Sequence, residues 1–316
     1  MCGVTNSPRS RPWPQRPFAV PALAWGLALL GGAGTAPALA YPHESLPHWL
    51  NHRLDGYRLD AVPHRIENRP QDWNDRPESR TLTRQLQGLI QAGPQRYVIC
   101  ETPAAPQGYP AAKLCGSGFG LENRLVMAAR GQPEALRALA RYFATPGGGS
   151  LDTMGVLVSR QDWLAGQRLW DQVGGDAALY RITAATYLLL PGTPDLDDGE
   201  AIGRAGSADL LTHYQQLIAL RQALPSIARG SWERAVADGA TLSIQRRLGT
   251  EHTVVTYNYG SAAARLALAG LPPGARLEAA HPLAAAALQA DARGQASVPL
   301  APQSFAVWRV RAAAAR

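Results

Sequence analysis

The chain has 316 residues, 46% of them hydrophobic and 17% charged, with a formal net charge of +7. That balance excludes a disordered chain and leaves room for one large domain and one small one. Arginine carries nearly all the positive charge in a composition rich in alanine, glycine and proline, so the basic excess does not point to nucleic acid.

The first forty residues read as a secretory signal peptide. Arg9, Arg11 and Arg16 precede the apolar run FAVPALAWGLALLGGAG, no acidic residue occurs before Glu44, and the small residues at Ala38-Leu39-Ala40 set cleavage after Ala40. A membrane anchor fits less well, because Pro21 and Gly26 break the run and it falls short of the ~20 residues a spanning helix needs. Cleavage removes three of the arginines and one of the three cysteines. The mature protein is thus expected to be secreted, with no nucleic-acid partner and no membrane association. Cys100 and Cys115 remain, an even number in an oxidising compartment, which favours a disulfide over two buried thiols.

From His48 to about Ile227, short apolar runs alternate with helical patterns, as in α/β proteins with parallel strands. The strand-like runs are GYRLDAV, RYVICE, a weaker GFGLEN and MGVLVS, with LLLPG closing a helix late in the series. RTLTRQLQGLIQAG, PEALRALARYFATPGG, DAALYRITAATYLLLPG and ADLLTHYQQLIALRQALP each place apolar residues three and four apart, which predicts helices. From Gly230 the period becomes two, in TLSIQRRL, HTVVTYNYG, ARLALAGL and ASVPLAPQSFAVWRV, which predicts a small antiparallel β domain. PLAAAALQADARG carries no assignable pattern. The expected organisation is a signal peptide over 1–40, an α/β domain over 41–228 and a β domain over 229–316.

Carboxylates stand at three strand ends in this α/β region: Asp60, Glu101 and Asp162. The carboxyl ends of parallel strands are where such folds place functional groups. One carboxylate there is unremarkable as a cap or loop residue; three in succession each need a separate local reason. A pair of carboxyl groups is what glycoside hydrolysis requires, one ionised as nucleophile and one held protonated as acid. Arg58 precedes Asp60 by two and would keep it ionised, whereas Glu101 follows the apolar YVIC with no adjacent cation.

The run DGYRLDAVPH resembles the second signature region of the α-amylase family of glycoside hydrolases (family 13), and RYVICE resembles the region of its acid/base glutamate. VSRQDWLAGQRLWDQVGGD is similar to the region of the third catalytic aspartate, and YLLLPGTPDLDDGEAIG to the segment before the last barrel strand. The resemblance implies an (β/α)8 TIM-type barrel followed by a small antiparallel β-sandwich, acting on α-glucans by retaining double displacement. It makes Asp60 the nucleophile, Glu101 the acid/base and Asp162 the carboxylate that grips sugar hydroxyls; Arg58 orients Asp60, and His64, Gln161 and Trp163 lie in the sugar site. Of Trp49, Trp73, Trp163 and Trp170, only Trp163 adjoins one of these carboxylates. The partner is then an oligo- or polysaccharide. A same-family transglycosylase or isomerase and an inactive carbohydrate-binding remnant are the competing readings.

Departures from the pattern are specific. Thirteen residues separate Ala40 from Leu54, too few for three strands at ~30 residues per unit, so an incomplete barrel equivalent to strands 4–8 is expected. Arg160-Gln161-Asp162 replaces the usual Asn-His-Asp, and loss of one transition-state donor costs ~10²–10³ in rate. Asp195, Asp197 and Asp198 make TPDLDDGEA a poor strand and a better solvated loop. No cofactor is implied with certainty. Many members of the family bind calcium, partly through the missing region, so affinity here is expected to be weak at best. The seven histidines include no H-E-x-x-H and no zinc pattern.

Overall fold

The computed structural model describes residues 46–52, 54–66, 74–102, 108–111, 114–117, 121–142, 154–159, 168–197, 199–202 and 208–313. Residues 1–40, the expected signal peptide, lie outside them. Two compact units divide the chain, Met1–Ala104 and Ala105–Arg316.

The first unit is a β-α-β arrangement. Strand β1 (Gly56–Leu59) and strand β2 (Tyr97–Cys100) pair in parallel, Gly56 opposite Tyr97 and Leu59 opposite Cys100. Helix α1 (Pro77–Gln91) connects them. It starts with proline in its first turn, where no amide hydrogen is missed, and Glu78 complements the positive end of the helix. Ser79, Leu82, Thr83, Leu86 and Ile90, three or four apart, form its buried face.

The two strands approach so closely at Gly56 that a Cβ there would lie 1.8 Å from the Tyr97 carbonyl oxygen. Gly88, exposed on α1, has nothing within 4 Å of an added Cβ. Opposite outcomes are expected for the same substitution. Gly56→Ala should destabilise the first unit by ~3 kcal/mol, since backbone has to move, whereas Gly88→Ala should stabilise it by ~1 kcal/mol. Urea denaturation of the two variants checks both signs.

In the second unit, strands β3 (Gly116–Ser117), β4 (Met154–Val156) and β5 (Thr193–Pro194) form a parallel sheet in that order. The helices are α2 (Gly108–Ala111), α3 (Leu121–Ala129), α4 (Pro133–Tyr142), α5 (Leu169–Gln172), α6 (Ala177–Leu188), α7 (Ala208–Ala223) and α8 (Pro225–Arg229). GFGLEN, expected as a strand, is corrected here: its last three residues open α3. Leu121, Leu125, Ala128 and Ala129 recur at helical spacing and are all buried, so tertiary burial selects the helix. Asp176 caps α6 by accepting from the amides of Ala178 and Leu179 at 2.8 and 3.1 Å.

The C-terminal part of this unit is built of antiparallel strands. β6 (Ser231–Asp238), β7 (Thr241–Leu248), β8 (Glu251–Asn258), β9 (Ala264–Leu268), β10 (Arg276–His281), β11 (Leu288–Gln289), β12 (Ala296–Leu300) and β13 (Ser304–Arg311) follow in order. Six form a sheet ordered β11-β10-β13-β8-β7-β6, and β12 pairs with β9. ASVPLAPQSFAVWRV is therefore two strands in different sheets, broken at Pro302-Gln303, where Gln303 adopts φ 43°. The larger sheet buries both faces. Val255 and Tyr257 of β8 join a core with α3, α4, α6 and α7, while Val254, with Trp308, joins the core over β9 and β12. Helices and sheet thus share a core, and the boundary expected at residue 228 falls inside the second unit.

Two arginines, Arg221 half-buried and Arg246 buried, donate to main-chain carbonyls at helix ends. Arg221 Nη1 donates to the carbonyls of Leu188 and Leu190 at 2.8 and 2.6 Å, and burial pushes its guanidinium down to about 10. Arg246 donates through Nε to Ser231 O at 3.1 Å and through Nη1 to Ile227 O at 3.0 Å, with its guanidinium 5.6 Å from the Trp232 ring centre.

Glu200 follows the acidic run DLDD but is buried. Its Oε1 accepts from the hydroxyls of Tyr187 and, at 3.1 Å, Tyr214, while the Tyr180 hydroxyl donates to its main-chain oxygen. Burial raises its pKa above the ordinary value, against the tyrosine hydrogen bonds that lower it. A carboxyl raised on folding stabilises below its unfolded pKa, and that contribution is lost as pH rises through the folded one. Glu200→Gln should accordingly narrow the fall in melting temperature between pH 4 and pH 8, by a few degrees (on the order of 1 kcal/mol). Differential scanning calorimetry reads this directly.

Candidate active site

The first unit brings Arg58, Asp60 and Glu101 together. Parallel pairing of Leu59 with Cys100 puts the next residue of each strand, Asp60 and Glu101, side by side. Arg58 Nη1 donates to Asp60 Oδ1 at 2.6 Å, and its Nη2 lies 3.4 Å from Glu101 Oε2. One guanidinium therefore bridges the two carboxyl groups.

The backbone holds this arrangement. Glu101 N–H donates to Leu59 O at 2.8 Å, and Val62 N–H donates to Glu101 O at 3.2 Å. Between them Ala61 takes a left-handed conformation, φ 46° and ψ 38°, which is costly for a residue with a Cβ. That turn aims the Ala61 N–H at Glu101 Oε2, 2.9 Å away. Arg65 Nε donates to the Asp60 main-chain oxygen at 3.0 Å. Neither Ala61 nor Arg65 announces this role in the sequence: one acts through its backbone, the other is one arginine among many.

The two carboxyl groups are driven apart in acidity. The Glu101 side chain is 12% exposed and that of Asp60 66%. Asp60 is held below its ordinary value, first by the hydrogen bond with Glu101 and then by the charges of Arg58 and Arg65, against partial burial. Glu101 is raised, first by burial and then by the hydrogen bond and negative charge of Asp60, while the Ala61 amide and Arg58 oppose. These opposed shifts favour the ionised form at Asp60 and the protonated form at Glu101.

His64 ends the short 3₁₀ turn Val62–His64 beyond Asp60, its N–H donating to Ala61 O at 2.9 Å. Asp162, Gln161 and Trp163 lie outside the described residues. The chain on either side of that segment is tied together: Leu169 N–H donates to Ser159 Oγ at 2.9 Å, and Gln172 Nε2 to Val158 O at 2.7 Å. Trp170 packs against the core, its ring 5.6 Å from that of Tyr180. Cys100 and Cys115 are buried and disulfide-bonded.

Asp195 and Asp197 follow β5 in a loop, with Asp195 N–H on Val156 O at 2.8 Å and Asp197 in an ion pair with Arg168 at 2.8 Å. Among the described residues, no three His, Cys, Asp or Glu side chains converge as metal ligands. Among the described residues no helix is long and apolar enough to cross a membrane.

No protein-family model matches the chain, and no curated protein does. Solved structures do. The α-amylase from Geobacillus thermoleovorans in complex with acarbose is 16% identical, with 88% of this chain and 65% of that one covered at a TM-score of 0.69. The α-amylase from H. orenii is 18% identical, with coverage of 84% and 62% and a TM-score of 0.64. The debranching enzyme from Nostoc punctiforme is 19% identical, with coverage of 85% and 61% and a TM-score of 0.65. The chain shares the fold of these glycoside hydrolases and spans about three-fifths of their length.

Proposed function

We propose that the chain is an α-glucan-active glycoside hydrolase working by retaining double displacement, with Asp60 as nucleophile, Glu101 as acid/base and Asp162 as the third carboxylate. The observation that carries this is the Arg58-bridged pair of carboxyl groups, whose surroundings push Asp60 below and Glu101 above the ordinary carboxylate value. The solved structures of the same fold include α-amylases, one of them bound to acarbose, and a debranching enzyme, which supports an α-glucosidic substrate.

In the first step an Asp60 carboxylate oxygen attacks the anomeric carbon as Glu101 gives its proton to the departing glycosidic oxygen. In the second, Glu101 takes a proton from water, the hydroxyl displaces Asp60, and anomeric configuration is retained overall. Arg58 keeps Asp60 ionised until it attacks and again once it is displaced, and its second contact lets it follow the change of charge on Glu101. His64, Gln161 and Trp163 are assigned to sugar contacts. The oxidised state of Cys100 and Cys115 supports a secreted protein.

One observation favours a second reading, a carbohydrate-binding remnant. Arg58 ties the two carboxyl groups into one cluster, at 2.6 and 3.4 Å, whereas retaining glycosidases hold theirs about 5–5.5 Å apart about the scissile bond, so a sugar has to open the cluster before reaction. The test is hydrolysis of a nitrophenyl α-maltoside by the purified chain, with product anomers followed by NMR. Turnover giving the α-anomer first supports the enzyme. Maltoheptaose binding without turnover, in a sample folded by circular dichroism, selects the remnant, and β-anomer product overturns the retaining mechanism.

A further inference from the structure

The helical turn over 46–51 is anchored on one side and open on the other. Leu46 and Leu50, four residues apart, are buried. Their main-chain oxygens are gripped as well, Leu46 O by the Tyr57 hydroxyl at 2.9 Å and Leu50 O by Arg96 Nη2 at 3.1 Å. His48 and His52 are also four apart and stand on the opposite side, both exposed. Their ring centres are 4.5 Å apart with the planes at 43°.

His52 Nδ1 lies 2.8 Å from the carbonyl oxygen of His48. A carbonyl can only accept, so Nδ1 carries the proton and Nε2 keeps its lone pair. Protein metal ligands of this type fix their tautomer in the same way, through a hydrogen bond from the other ring nitrogen to a carbonyl. Two imidazoles that share one ion at ~2.0–2.1 Å bring their nitrogens to about 3 Å. Rings already 4.5 Å apart, on a turn whose backbone is pinned, stand close to that arrangement.

We propose that His48 and His52 form a two-ligand surface site for a divalent transition-metal ion, with water completing its coordination. Imidazole pairs suit Cu²⁺, Zn²⁺ and Ni²⁺ and do not suit calcium or magnesium, and Cu²⁺ binds tightest of the three. The site is independent of the glycosidase reading. A reporter stands beside it: Trp49, 52% exposed, has its ring 5.2 Å from His48 and 5.9 Å from His52.

The test is titration of the full chain with Cu²⁺ alone, followed by tryptophan fluorescence. Saturable quenching at one equivalent is expected, reversed by excess Zn²⁺, absent with Ca²⁺, and largely lost in Trp49→Phe. His48→Gln and His52→Gln should each raise the half-saturating concentration by about tenfold or more. His52 also closes the turn through its bond to His48 O, so circular dichroism accompanies that variant; His48→Gln leaves the bond in place and suffices by itself. Wild-type titration curves in His48→Gln, or weakening in only one of the two variants, would overturn the chelate.

Discussion

Replacing Asp60 by asparagine should lower kcat/KM for a nitrophenyl α-maltoside by ~10⁴-fold while leaving maltoheptaose binding within a few-fold of wild type. The amide keeps the size of the side chain and its place beside Arg58 but cannot form the glycosyl ester. The charge of Asp60 also helps raise Glu101. In Asp60→Asn the residual activity should therefore lose its alkaline limb at a lower pH than wild type does. Steady-state kinetics across pH measure both effects, and a variant that lost binding together with turnover would point to a structural role instead.

Glu101→Gln should show the second large effect, a loss of ~10²–10⁴-fold on unactivated oligosaccharides and a much smaller one on substrates with good leaving groups. The pH profile supplies its signature. Wild-type activity needs Asp60 ionised and Glu101 protonated. It should rise through the Asp60 pKa, below the ordinary 3.8, and fall through the Glu101 pKa, above the ordinary 4.5. Removing Glu101 removes the falling limb. Because desolvation is the largest cause of the Glu101 shift, a substitution that opens its surroundings to water should move that limb to lower pH.

What was legible in the sequence is what depends on neighbours along a strand. Arg58 two residues before Asp60 predicts their ion pair, which is present; Glu101, read as having no adjacent cation after apolar YVIC, is half-buried with Arg58 3.4 Å away. The juxtaposition of Asp60 and Glu101 arises from strand register across forty-one residues, which alternation of residue types does not encode. Ala61 was invisible for another reason: alanine carries no preference for the left-handed turn it occupies, and only its amide is used.

The second unit repeats the lesson. β6 was missed because as a sheet edge it buries no residue along its length. Glu200 was hidden inside an acidic run that reads as solvated loop. Its burial depends on hydroxyls from Tyr180 and Tyr187 on α6 and Tyr214 on α7, residues the sequence offers only as helix-face apolars. Helical periodicity found α4, α6 and α7 but could not separate a short buried strand from the start of α3, since both are apolar runs next to glycine.

The most direct measurement is mass spectrometry of the folded chain after incubation with an activated fluoro-α-glucosyl fluoride, which slows the second displacement and lets the glycosyl ester accumulate. One added glycosyl group per chain, mapped by peptide fragmentation to Asp60 and absent in Asp60→Asn, is the predicted result. A label on a different residue, or no label while the folded protein turns over α-glucosidic substrates, would contradict the assignment of Asp60 as nucleophile.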